Sequence, residues 1–222
     1  MTHYTPEAPL RIVVLISGSG TNLQAILDKI HQTDVPARVV AVISNRADAY
    51  GLKRAQQADV PVHVLPQRDH PSRENYDAAL QELIDSYQPD LVVLAGFMRI
   101  LTDDFVNHYH GRMLNIHPSL LPKYKGLKTH HRALEAGDTE HGCSVHYVTP
   151  ELDGGPVILQ ATVPIASDDT PESLAQRVHL EEHRIYPQVI EWIARGRLSL
   201  DNHTVLFDGQ PITQQQQRFC QD

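Results

Sequence analysis

Apolar, β-branched runs that alternate with stretches of helical periodicity constrain this chain more than any other feature. Residues 10 to 16, LRIVVLI, read as a strand buried on both faces, because apolar residues follow one another instead of alternating with polar ones. The run ends in SGSGTNL, a tight glycine turn. From Thr21 the pattern is helical, with Leu23, Ile26, Leu27 and Ile30 on one stripe and Ser19 or Thr21 available as the cap. A second strand, ARVVAVI (37–43), runs into SNRADA. A helix over 50–58, a short PVHVL strand and a helix over 72–86 follow. LVVLAGF (91–97) is another strand buried on both faces; MRIL, a short helix around 102–109 and the strand MLNI come after it. Repeated β-α-β units with right-handed crossovers give an α/β protein, a Rossmann-like three-layer α-β-α arrangement around a mostly parallel central sheet. Ligands of such sheets bind beyond the carboxyl ends of the strands, where SGSGTN, SNRADA, GFMRIL and NIHPSL lie.

The second half departs from strict repetition. HHRALEAG is a short helix, and GCSVHYV alternates, with Ser144, His146 and Val148 on one face and Cys143, Val145 and Tyr147 on the other. One face of that strand is therefore partly polar. PVILQATVPI follows the ELDGG loop. Thr170 and Pro171 form a strong helix start, with Leu174, Val178, Ile185, Val189 and Ile193 as the apolar stripe and a kink expected at Pro187. RLSL and HTVLFDG read as a weak hairpin before a Gln run at 214–217. At 222 residues the chain fits one domain, 1–222, with residues 1–9 and 209–222 expected to be mobile tails.

Charge and cysteine usage narrow the class. A net charge of -8 and a pI near 5.9 argue against a nucleic-acid surface, while leaving room for a local basic pocket that holds a small phosphate. The partners expected are small molecules. Cys143 and Cys220 supply neither a disulfide framework nor a metal quartet, and a reducing cytoplasm suits them. The opening MTHYTPEAPL has no basic-then-apolar signal pattern, and no apolar run approaches the ~20 residues of a membrane span. A soluble cytoplasmic protein without a membrane partner, monomeric or homodimeric, is expected.

The candidate chemistry centres on MLNIHPSLLPKYKG, residues 113 to 126. Asn115 and His117 are two apart in an emerging strand, so their side chains share one side of the backbone. Pro118 and Pro122 hold the following loop extended and stiff. An amide beside a titratable ring suits an oxyanion stabiliser with a general acid or base; it equally suits a polar strand end bonded to the turn backbone. ELDGGP, residues 151 to 156, offers a carboxylate able to fold back onto His117.

Other motifs carry two readings each. SGSGTNL places bare backbone N–H groups at a helix N-terminus, which suits an anion such as phosphate or merely makes a tight turn. It lacks the third glycine of a dinucleotide site, having Leu23 there, and the second strand ends in Asn45 and Arg46 instead of an acidic ribose partner. HLEEH (179–183) matches an inverted zincin pattern, but Pro187 lies one turn on and no third ligand follows, so no metal is expected. Glu182 there either belongs to a solvated face or faces a substrate amine or hydroxyl. Lys123, Lys125 and Lys128 read as solvated loop charges. Arg73, near a helix start where a cation is disfavoured, is explained by a ligand carboxylate. GFMRIL is core packing unless a flat aromatic ligand lies against it.

NIHPSLLP (115–122), GCSVHYVTPELDGGP (142–156), LAGFMRIL (94–101) and SGSGTNLQAI (17–26) together resemble the folate-dependent phosphoribosylglycinamide formyltransferases of purine biosynthesis, over about residues 10 to 208. NIHPSLLP alone marks the wider formyltransferase fold, shared with methionyl-tRNA formyltransferases and formyltetrahydrofolate deformylases, which carry additional domains not expected here. The resemblance implies transfer of the formyl group of 10-formyltetrahydrofolate, as co-substrate and without a metal, to the amine of phosphoribosylglycinamide. It implies catalytic roles for Asn115, His117 and Asp153, and contacts to the phosphoribosyl substrate from Gly20, Thr21, Asn22 and Glu182. It also implies a folate site lined by Met98, Arg99, Ile100, Leu101, Asn115, Thr149, Pro150, Glu151, Leu152 and Asp153, with Arg73 near the glutamate tail. Many family members have an acidic residue where Pro150 stands, and proline there removes a backbone N–H donor. The rival readings are a formate-releasing hydrolase, a non-catalytic folate or nucleotide binding module, and a reductase whose Arg46 reads the 2′-phosphate of NADP.

Overall fold

The computed structural model describes residues 4–219. Its central sheet grows from the buried runs. β1 (Leu10–Ile16) pairs in parallel with β2 (Ala37–Ser44) on one side and β4 (Leu91–Leu94) on the other; β3 (Val62–Val64) extends the β2 side and β5 (Met113–His117) the β4 side. β6 (Glu140–Tyr147) is antiparallel to β5, and β7 (Val157–Pro164) is antiparallel to β6. The chain thus leaves β1 outward to β3 and returns to β4, so β1 and β4 flank the topological switch point where ligand crevices open.

Alternation along β1 sorts the two faces. Leu10, Ile12, Val14 and Ile16 join one core with α1 (Thr21–Ile30), α2 (Gly51–Gln57) and α6 (Pro171–Ala194), and Leu134 of α5 (Thr129–Glu135) packs against it. Val13 and Leu15 join the other with α3 (Arg73–Ser86) and α4 (Asp103–His108). The three-layer α-β-α expectation holds.

Helix α6 begins as its sequence requires. The Thr170 side chain accepts from the Ser173 N–H, and Ser173 returns a bond to the Thr170 backbone, a reciprocal cap ahead of Pro171. The helix runs through Pro187 without a break. Proline has no N–H for the carbonyl four residues back, His183, and Lys29 of α1 donates to that oxygen at 3.2 Å. Beside it, the fully buried Tyr186 places its hydroxyl 2.8 Å from the Leu94 carbonyl and 3.2 Å from that of Leu114, tying α6 to β4 and β5.

Two expectations are corrected. Neither Ser19 nor Thr21 caps α1; the cap is Gly20, left-handed at φ 71°, with no side-chain bond to the first turn. The segment after Asp208, expected to be a mobile tail, carries two short paired stretches. β10 (Gln210–Pro211) lies antiparallel to β9 (Thr204–Phe207), itself hairpinned to β8 (Leu198–Asp201), and β11 (Arg218–Phe219) runs parallel to the edge of β7. Gln217 donates from its side chain to the Val157 carbonyl at 2.7 Å, so the polar run satisfies an otherwise open sheet edge. The expectations for residues 1–3 and 220–222, Cys220 included, fall outside the described residues. Among the described residues no helix is long and apolar enough to cross a membrane.

Candidate active site

The parity of β5 builds the site. Met113 enters the core beneath α3 and α4, so Asn115 and His117 point to the same face, beyond the reach of that helical layer. Loops cover them instead. Cross-strand register sets Asn115 opposite His146 and His117 opposite Ser144.

His117 is 6 % exposed, and both of its ring nitrogens face acceptors. Nε2 lies 2.8 Å from the Tyr124 carbonyl and Nδ1 3.5 Å from Asp153 Oδ2. Each ring nitrogen thus has an oxygen acceptor beside it. Asp153 adopts φ 47°, a left-handed conformation that Asp tolerates better than most side chains, and its Oδ2 accepts the Gly126 N–H at 2.8 Å. The acidic loop is therefore seated at the ring. Gly155 permits the close pass: a Cβ there would sit 1.8 Å from the Tyr147 carbonyl oxygen.

His146, which no motif singled out, organises the neighbouring amide. Burial pushes its pKa down, against a backbone bond to Tyr147 and the Asp153 charge, which raise it. A neutral ring whose Nδ1–H donates to the Tyr147 carbonyl at 2.9 Å leaves Nε2 bare. Asn115 Nδ2 donates to that nitrogen at 3.3 Å, which fixes the amide and leaves its second N–H free for a ligand. The only sequence signal was the polar alternation of Ser144 and His146 in an otherwise apolar strand.

The glycine loop stands at the end of β1, two strands from β5, roughly 10 Å away at the usual spacing. A Cβ on Gly20 would meet Gly51 Cα at 2.5 Å, so the start of α2 presses against the loop. Arg54 of α2 donates to the Ser19 carbonyl at 2.8 Å. With no side-chain cap bond at its first turn, α1 leaves backbone N–H groups there for a ligand. Asn22 donates to Glu182 Oε2 at 2.9 Å, so Glu182 is buried against α1 and is no solvated helix face. Burial raises the Glu182 pKa, opposed by the Asn22 bond and by His179.

The remaining candidates lie on two loops. Met98 and Ile100 are 68 % and 65 % exposed, while Leu101 is buried and Arg99 lies over the Tyr76 ring. Across β5, Leu152 is 54 % exposed, Thr149 is half-buried, Pro150 and Glu151 are exposed, and Lys125 pairs with Glu151 at 2.6 Å. Exposed apolar side chains on loops at strand ends suit a flat aromatic ligand. Arg73, exposed at the start of α3, donates from one guanidinium nitrogen to the Leu101 carbonyl. Among the described residues no group of three or more His, Cys, Asp or Glu could hold a metal ion.

Residues 10–190 match the formyl transferase family, and the chain belongs to it. The phosphoribosylglycinamide formyltransferase of Escherichia coli strain K12 is 57% identical over 93% of this chain and 97% of its own length. That of Haemophilus influenzae is 50% identical over 91% and 95%. The structure of phosphoribosylglycinamide formyltransferase from Coxiella burnetii superposes with a TM-score of 0.90 at 60% identity, covering 96% of this chain and 100% of that one. Within the family the chain falls among the phosphoribosylglycinamide formyltransferases, enzymes of purine biosynthesis that transfer a one-carbon group.

Proposed function

We propose that the chain transfers the formyl group of 10-formyltetrahydrofolate to the amine of 5-phosphoribosylglycinamide through a tetrahedral intermediate. The amine nitrogen attacks the formyl carbon, the carbonyl oxygen becomes an oxyanion, and the bond from carbon to N10 of the folate then breaks. Asn115, through its free N–H, and His117 donate to the oxyanion, each such donor being worth about 3 kcal/mol. Asp153 orients the ring from its Nδ1 side and assists, through water, the passage of the amine proton to N10. The observation that carries this reading is the meeting of His117 and Asp153 at 3.5 Å, beside an amide already oriented by His146.

The phosphate lies against the backbone N–H groups of Gly20, Thr21 and Asn22, where the helix dipole favours an anion. Glu182 faces the glycinamide. The pterin lies between the Met98–Leu101 backbone and the Thr149–Asp153 loop, with Pro150 supplying no N–H to it. No metal takes part, the partners are these two small molecules, and the enzyme works in the cytoplasm as a monomer or homodimer.

The test is a spectrophotometric assay of purified protein with 10-formyltetrahydrofolate, with and without phosphoribosylglycinamide. Deformylation that requires the amine acceptor is expected. Formate released equally fast without the acceptor would establish the hydrolase instead.

A further inference from the structure

Two residues of α3, one helical turn apart, grip a single peptide unit of the loop between β4 and α4. Arg73 Nη2 donates to the carbonyl oxygen of Leu101, and Asp77 Oδ2 accepts the N–H of Thr102 at 2.6 Å. That carbonyl and that N–H are the two polar ends of one planar group, so holding both stops the plane from rotating. Positions i and i+4 share a helix face, which lets one helix supply both contacts. Asp77 is 2 % exposed, and a carboxylate accepting a backbone N–H makes a charge-assisted bond.

The loop is tied at its other end as well. The Met98 N–H donates to Ser17 Oγ at 2.8 Å, and the Arg99 guanidinium lies 3.9 Å from the centroid of Tyr76, the neighbour of Asp77 on α3. Between these ties Met98 and Ile100 remain exposed. We propose that Asp77, acting with Arg73, is a positioning residue for the formyl-folate site: it sets the tilt of the Leu101–Thr102 peptide and so the backbone of residues 98–101 that receives the pterin. This rests on the folate reading of that loop. The competing account is architectural, because Thr102 also caps α4 through its side chain.

The two accounts separate when Asp77→Leu, Asp77→Asn, Arg73→Met and the Asp77→Leu/Arg73→Met double variant are compared with wild type. The readouts are thermal midpoint, fluorescence titration with a folate analogue unable to release its formyl group, and KM for each substrate. Asp77→Leu is expected to weaken analogue binding and raise KM for formyl-folate about tenfold, the scale of a lost hydrogen bond to a charged group. The kcat and the KM for phosphoribosylglycinamide stay near wild type. Asp77→Asn, which keeps an oxygen for the Thr102 N–H, recovers most of the loss, and the double variant loses little more than the worse single one, since both contacts act on one peptide. Wild-type analogue affinity in a folded Asp77→Leu protein overturns the proposal, as does a loss shared equally by both substrates. Should Asp77→Leu not fold, wild-type analogue affinity in Arg73→Met overturns it. Wild-type protein that does not bind the analogue removes the folate reading itself, and the clamp with it.

Discussion

Asn22 at the start of α1 and Glu182 in the middle of α6, 160 residues apart in the chain, are joined by a hydrogen bond of 2.9 Å. The bond couples the glycine loop to the longest helix of the protein. Asn22 Oδ1 is also buried and has no partner among the described residues, so removing Glu182 strands the whole amide. Glu182→Ala is expected to raise KM for phosphoribosylglycinamide about tenfold, with KM for formyl-folate little changed. Steady-state kinetics with each substrate varied in turn would show it.

Asp153→Asn keeps the shape of the loop, because Asn adopts the left-handed conformation at least as readily as Asp. What it removes is the negative charge beside His117. Turnover should fall about 10²-fold, the usual scale of lost acid–base assistance, with an unchanged thermal midpoint. An Asn variant with wild-type kcat would take away the role assigned to the carboxylate.

His117→Ala deletes the ring that lies between the Tyr124 carbonyl and Asp153. A loss of turnover equal to or larger than that of Asp153→Asn is expected, about 10²- to 10³-fold, from the combined loss of an oxyanion donor and its charge. Full activity in a rapid-quench measurement would exclude the ring from the chemistry.

Gly20→Ala places a Cβ 2.5 Å from the backbone of Gly51 at a left-handed position, and neither backbone can yield cheaply. The loop must shift. A lower thermal midpoint and a higher KM for the phosphorylated substrate are expected together; a change confined to the folate KM would contradict the placement of the phosphate.

Acid should loosen the fold before it protonates most carboxylates. His130 Nδ1 and His141 Nε2 lie 3.1 Å apart, and burial is the main cause that pushes both pKa values down to about 4. The unfolded chain, with ordinary histidines near 6.5, binds protons there that the folded chain excludes. Stability is therefore fully present above about pH 6.5 and falls as pH drops toward about 4. Buried His146 shifts in the same direction. Differential scanning calorimetry across that range would reveal it, and a flat midpoint would refute the burial of the pair.

Much of this was legible in the chain because burial on both faces leaves an unmistakable run. LRIVVLI and LVVL became β1 and β4 because a central strand, covered on both faces, buries nearly every side chain, Arg11 of β1 being the exposed exception. The spacing of Asn115 and His117 put them on one face by the geometry of any strand. His146 was not legible as a partner: its meaning depends on which residue stands opposite, and antiparallel register is a property of two strands. The tail misled for a related reason, since a polar Gln run looks unstructured until an open sheet edge is present to receive its amides.

Local pattern alone determined the layers, the strand ends and the residue types available at each end, because those follow from periodicity and from what a buried backbone must satisfy. Only the tertiary structure decided which ends meet. The contacts of His117 with Asp153, of Asn22 with Glu182, and of Arg73 and Asp77 with one peptide all join segments whose separation along the chain is far longer than any helix turn or hairpin. Contacts of that kind are set by how the whole core packs, and no stretch of sequence encodes them on its own.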